Sequence, residues 1–185
     1  MRLAVVLCFL TNVAFTQSDG YYITNDNDTI RAKFNPDPRR WSDYERIKII
    51  DSTGAEKTFR PADIKGYFYA RKKDDYAYVS KPTEKGGLLF LSPLAIGAEA
   101  KLYFYSEPNY QHASFYYTLE AKDGRFLFLG SENPGKRKEK VQKFYADDKI
   151  ASALLDKYFP ENRFTLDDII DFVTKLNDHA ITITQ

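Results

Sequence analysis

Phe115-Tyr116-Tyr117-Thr118-Leu119-Glu120, the turn Lys122-Asp123-Gly124, and Arg125-Phe126-Leu127-Phe128-Leu129 form a strand, a tight reversal and a second strand, and Pro134-Gly135 follows almost at once. Before this point the apolar residues alternate or cluster in short aromatic runs; after it they recur at about every 3.6 positions. The chain therefore divides into a β-rich part over 20–130 and a helical part over 136–178. Helices that bury one apolar stripe need a surface to pack on, and the preceding sheet supplies it. The expected fold is α+β: an antiparallel β meander, curled or barrel-like, of about ten short strands, followed by two or three C-terminal helices packed on it.

Working backward, Tyr21-Tyr22-Ile23-Thr24 and Thr29-Ile30-Arg31-Ala32-Lys33-Phe34 flank Asn25-Asp26-Asn27-Asp28 as a hairpin. Residues 35–42, with Pro36 and Pro38, read as a loop. Arg46-Ile47-Lys48-Ile49 and Lys57-Thr58-Phe59-Arg60 pair across Asp51-Ser52-Thr53-Gly54. Pro61-Ala62-Asp63-Ile64 reads as a single helical turn. Strands over Gly66–Ala70, Tyr76–Val79, Leu88–Leu91 and Ala100–Tyr105 follow, with Gly86-Gly87 as an entry bend.

Working forward, Val141, Phe144 and Tyr145 share one side of a first helix. Asp147 or Asp148 caps a second, where Ile150, Leu154 and Tyr158 recur with Ala151, Leu155 and Phe159 beside them. Pro160 ends it. Thr165-Leu166-Asp167-Asp168 resembles a capping box ahead of the stripe Leu166, Ile169, Ile170, Val173 and Leu176.

The 185 residues contain 27 Lys plus Arg, 26 Asp plus Glu, and one Cys, one Met and one Trp. A formal charge of +1 lacks the basic excess of a nucleic-acid binder, and no nucleic acid is expected as partner. Met1-Arg2, the mostly apolar run Leu3–Leu10, and Thr11-Asn12-Val13-Ala14-Phe15-Thr16 have the order of a secretory signal. Ala14 and Thr16 set cleavage after Thr16. The run is too short for the roughly 20 apolar residues that span a bilayer, and no later window reaches that length. Removal of 1–16 takes Cys8 with it, so the expected chain has neither Cys nor Met and no cysteine-based framework, metal site or nucleophile. Residues 17–178 are expected as a single domain and 179–185 as a tail.

Gly20-Tyr21-Tyr22-Ile23 with Asp28-Thr29-Ile30 and Ala32-Lys33-Phe34, then Ala62-Asp63-Ile64-Lys65-Gly66-Tyr67, resembles the amino-terminal half of uncharacterised exported β-rich proteins of Bacteroidetes-type bacteria. Leu88-Leu89-Phe90-Leu91, Leu94, Gly97, Leu102-Tyr103-Phe104-Tyr105 and Tyr116-Tyr117 are similar to the middle of that group. Phe144-Tyr145-Ala146-Asp147, with Ile169, Val173, Leu176 and Asn177, is similar to its close. The resemblance implies an exported bacterial protein and brings no catalytic residues with it. Many of those proteins carry a Cys near the position of Asp148, which this chain lacks.

No motif assembles a reaction centre. His112 and His179 are isolated loop or tail residues, short of the ligand set of a zinc site. Asp26-Asn27-Asp28 begins like a calcium loop but lacks its glycine and distal glutamate, so a polar turn explains it better; Asn27-Asp28-Thr29 is also formally a glycosylation sequon. Asp74-Asp75, Asp147-Asp148 and Asp167-Asp168 read as turn and capping residues, and no spacing pairs Glu84, Glu99, Glu107 or Glu120 as glycosidase acids. Lys136-Arg137-Lys138-Glu139-Lys140, with Lys143, reads as a solvated helix face rather than an anion site. Catalytic, cofactor and metal residues are thus expected to be none.

Tyr67, Tyr69, Tyr76, Tyr78, Tyr103, Tyr105, Tyr116 and Tyr117 lie in strands, opposite Phe68, Phe104 and Phe115. Exposed, they would stack on sugars or bury against a partner; buried, they are core. The expected function is an exported non-enzymatic accessory or interaction protein of the bacterial cell envelope, meeting an envelope protein or glycan. The alternative is a glycan-binding module or small carbohydrate-active enzyme using the tyrosine-rich face.

Overall fold

In the computed structural model the residues described are 18–35, 41–71, 74–108, 113–130, 132–161 and 164–183. Residues 1–16, expected as a secretory signal, and His112 lie outside them. Ten strands follow in chain order: β1 (Ser18–Thr24), β2 (Thr29–Phe34), β3 (Ile47–Ile50), β4 (Glu56–Phe59), β5 (Ile64–Arg71), β6 (Asp74–Pro82), β7 (Leu88–Ile96), β8 (Ala100–Pro108), β9 (Ala113–Ala121) and β10 (Phe126–Leu129). Three helices close the chain, α1 (Pro134–Phe144), α2 (Lys149–Tyr158) and α3 (Leu166–Ile183). The expected α+β class and element order are those observed.

The strands form one antiparallel sheet in the order β10-β9-β8-β7-β6-β5-β1-β2-β3-β4. The meander breaks once, because β5 returns to pair with β1 instead of β4. The sheet is open, with β4 and β10 as its edges, so it does not close into a barrel. It does curl: a turn of 3-10 helix (Trp41–Tyr44), starting at the end of the segment expected as loop, lies against β3, β7 and β8, strands well separated in the sheet.

The inside of that curl is aromatic. Phe34, Tyr67, Tyr69, Tyr78 and Phe90 pack with Ile47, Ile49 and Ile64. Asp43 is buried there; its main-chain carbonyl accepts from the Tyr67 hydroxyl at 2.7 Å and its Oδ2 from the Tyr69 hydroxyl at 3.1 Å. These bonds supply the polar partners that buried tyrosines require. Gly20 makes the β1–β5 pairing possible, since a Cβ there would overlap the Phe68 carbonyl oxygen and the Phe34 ring.

The larger core lies between β8–β10 and the helices. Leu102, Leu119 and Leu129 from the sheet meet Val141, Leu155, Ile169, Phe172 and Val173. Asn133 caps α1, its side chain accepting from Lys136 N at 2.9 Å, and Asp148 caps α2, accepting from Ile150 N and Ala151 N. Thr165 and Asp168 form the reciprocal box expected at α3. On α2 and its C-cap the buried row is Ala151, Leu155 and Phe159; of the adjacent i, i+4 row only Leu154 packs against the core, while Ile150 and Tyr158 are exposed. The expected tail is corrected: α3 continues to Ile183, so 179–183 are helical. No helix among the described residues is long and apolar enough to cross a membrane.

Candidate functional site

Six of the eight strand tyrosines, Tyr67, Tyr69, Tyr78, Tyr103, Tyr105 and Tyr117, are buried. Burial drives the hydroxyl of Tyr67 well above its usual range, and that of Tyr105 up to about 12. They are core groups held neutral, and the tyrosine-rich face offers no platform to a ligand. Only Tyr117 is buried in the core shared with the helices; Tyr67, Tyr69 and Tyr78 are buried inside the curl, and Tyr103 and Tyr105 with Leu91 beside it.

One exposed aromatic surface lies on the side of the sheet opposite Tyr67 and Tyr69; Phe115, stacked on Phe104, is exposed elsewhere. Register places Tyr21 beside Arg31 on one flank and Phe68 on the other, and Phe68 beside Ala77, so Arg31, Tyr21, Phe68 and Ala77 form one row across β2, β1, β5 and β6. Tyr21 and Phe68 stack with centroids 5.2 Å apart and planes 21° apart, and Tyr21 remains 38% exposed. A second row runs Ile50, Lys33, Asp19 over β3, β2 and β1.

Apart from Ala77, these rows form the floor of an open groove of about 780 Å³, and Asp51, Ser52 and Gly54 form its wall. The wall exists because β2 and β3 pair at two positions only, Lys33 with Ile50 and Phe34 with Ile49, after which the chain leaves the sheet. Asp51 shapes that departure: its Oδ1 accepts from Thr53 N, Thr53 Oγ1 and Ala55 N, and its Oδ2 pairs with Lys57 Nζ at 3.0 Å. Gly54, at φ +86°, completes the turn. The Thr53 hydroxyl bond, then Lys57, hold the Asp51 carboxyl far below the usual carboxylate range. Its charge is spent within its own hairpin.

Arg31, Lys33 and Asp19 are exposed, and no ion pair among the described residues engages them. The groove thus presents an aromatic pair, two uncommitted cations and one uncommitted carboxylate. Such a surface can stack a flat apolar face and bond an anionic group beside it.

Several charged groups singled out in the sequence are committed elsewhere. Glu120 accepts from Lys81 Nζ at 2.6 Å and from the Tyr103 hydroxyl at 3.0 Å, with Lys101 Nζ at 3.5 Å. Burial pushes its carboxyl up, but the Lys81 and Tyr103 bonds and the two ammonium charges outweigh this and hold it low. Glu99 pairs with Lys122 and Glu107 with Lys85, on different partners. The basic run on α1 is solvated at Lys136, Glu139 and Lys143 but fastened elsewhere: Arg137 donates to the carbonyls of Phe164 and Glu132, buried Lys138 to Glu161, and Lys140 to Phe128.

Asn27, at φ +71°, sits in the expected polar turn, with its Oδ1 accepting from Lys65 Nζ at 2.6 Å. Asp148 and Asp168 are caps as expected, and Asp74 accepts from the Tyr76 hydroxyl at 3.3 Å. His179 is exposed on α3, and no cluster of three metal-ligating side chains occurs among the described residues.

Tyr21, Arg31, Lys33 and Phe68 were each visible in the sequence as strand residues, but not as a set. Alternation puts 31 and 33 on one face; only the return of β5 to β1 sets Phe68 against Tyr21. Neither a comparison with protein-family models nor searches of curated proteins and solved structures finds a match to this chain.

Proposed function

We propose that this is an exported accessory protein of the bacterial cell envelope that binds a saccharide without covalent chemistry, in the groove over Tyr21 and Phe68. Export is supported by the charged start, apolar run and small-residue cleavage site of residues 1–16. The observation that carries the binding reading is the exposed Tyr21–Phe68 stack at the floor of a walled groove.

Size favours a saccharide over a folded protein partner. About 780 Å³ lies within the range of ligand sites, roughly 300–1,000 Å³. The eleven residues lining it fall short of the roughly 20 to 30 a side that a stable protein interface uses. Sugars also suit the chemistry, since C–H faces stack on aromatic rings while hydroxyls bond neighbouring charged groups. The glycan reading therefore moves from the strand tyrosines to Tyr21 and Phe68.

A thermal-shift screen of the purified protein against neutral and acidic oligosaccharides tests this. A ligand at 100 times its Kd adds about 2.7 kcal/mol, which raises the midpoint by roughly 5 to 11 °C for a chain of this size. The shift is expected for at least one saccharide and is expected to vanish in Tyr21→Ala. A flat response to every saccharide contradicts the reading.

A further inference from the structure

We infer that the saccharide taken by the groove is acidic, a uronate-type oligosaccharide whose carboxylates are bound by Arg31 and Lys33. This rests on the groove being the binding site. Arg31 and Lys33 stand two residues apart on one face of β2, roughly 7 Å along the strand. That separation sets two anion positions side by side along β2, one at the end of the Tyr21–Phe68 row and one in the neighbouring row with Asp19. Arg31 is the register neighbour of Tyr21, so a ring lying against Tyr21 brings a substituent on its edge within reach of the guanidinium. A guanidinium meets a carboxylate in two parallel bonds, whereas the Lys33 ammonium acts as a point charge.

The charge balance of the groove is on the side of an anion. Of its two carboxylates, Asp51 is consumed by Thr53, Ala55 and Lys57. Asp19 remains, opposite Lys33 in register, and is free to accept from sugar hydroxyls. With the Asp51 charge offset by Lys57, two cations stand against one free carboxylate, a net +1 at the groove.

Titration calorimetry with tetragalacturonate, its fully methyl-esterified form and a short poly-glutamate separates the possibilities. The ester keeps the rings and removes the charge; the peptide keeps the charge and removes the rings. Tetragalacturonate is expected to bind, to weaken as salt is raised, and to lose about tenfold or more in affinity in each of Arg31→Gln and Lys33→Gln. The ester is expected to bind at least tenfold more weakly.

Equal binding of acid and ester, or binding of neutral saccharides alone, overturns the inference while leaving the groove as a saccharide site. Poly-glutamate binding as tightly as tetragalacturonate overturns the saccharide class in favour of an acidic peptide. Failure of every saccharide, acidic or neutral, overturns both this inference and the reading beneath it. Arg31 and Lys33 are exposed, so both variants are expected to fold, and the ester comparison needs no substitution at all.

Discussion

Asn177 on α3 occupies the space that a side chain on Gly97 would fill. Its Oδ1 accepts from the main-chain N–H groups of Glu99 and Ala100, and its Nδ2 donates to the Ala100 carbonyl, each at 3.0 Å. A Cβ on Gly97 would overlap the Asn177 carboxamide. One side chain thus clamps the β7–β8 turn to the last helix. It joins sheet to helix by polar bonds where the core does so by burial.

Asn177→Ala removes three bonds worth about 1 kcal/mol each and is expected to cost about 2 to 3 kcal/mol in denaturant unfolding. Gly97→Ala is expected to cost about 1 to 3 kcal/mol alone, through overpacking, and clearly less when Asn177 is already Ala. Additive costs in the double variant would show that the two residues do not share this space.

Much of this fold was legible from local pattern. The Asp51-Ser52-Thr53-Gly54 reversal, the Asp148 and Thr165–Asp168 caps, and the change of period after Pro134 are short-range features, and each acts within a few residues. What the sequence hid is long-range. Whether Tyr67 and Tyr69 point into a core or into solvent depends on how far the sheet curls and on Asp43, a residue with no pattern of its own. The basic run of α1 looked solvated because periodicity does not reveal that the carbonyls of Phe164 and Glu161 wait beside Arg137 and Lys138. The groove was hidden for the same reason: strand order, not strand content, brings Phe68 to Tyr21.

Tyr67→Phe and Tyr69→Phe test the buried polar link inside the curl. Each leaves a group of Asp43 without one bond in a buried setting, so each is expected to cost about 1 to 3 kcal/mol. Tyr76→Phe, whose hydroxyl meets Asp74 at the surface, is expected to cost clearly less in the same unfolding series. Equal costs for all three would deny Asp43 its anchoring role.

Glu120 and Glu132 contribute, beside Asp51 and Asp123, to the acid limit of stability. Both glutamate carboxyls are held below the ordinary value of 4.5, Glu120 by Lys81 and Tyr103 and Glu132 by Lys140, against the opposing effect of burial. A depressed folded value means the stabilisation is present above the unfolded value and is lost as protons bind the folded form. Stability is therefore expected to fall below about pH 4.5, as the unfolded chain takes up protons first. In Glu120→Gln the neutral-pH stability should drop and the acid slope flatten; an unchanged slope would remove Glu120 from the account.

Export makes its own prediction. Expressed with residues 1–16 in a bacterial host, the protein should be recovered outside the cytoplasm with Gln17 as its first residue. Mass spectrometry of the purified chain reads this directly. A cytoplasmic chain beginning at Met1 would contradict the envelope assignment.

The central claim is that Tyr21 and Phe68 form the floor of a saccharide site. Its most direct test is amide chemical-shift mapping of the labelled protein during titration with the oligosaccharide that most stabilises it. The account predicts saturable shifts at residues 19–21, 31–33, 50–54 and 68, abolished in Tyr21→Ala while the rest of the spectrum stays folded. Saturable shifts centred elsewhere, for example around Lys81 and Glu120, or shifts that survive the Tyr21 change, would contradict it.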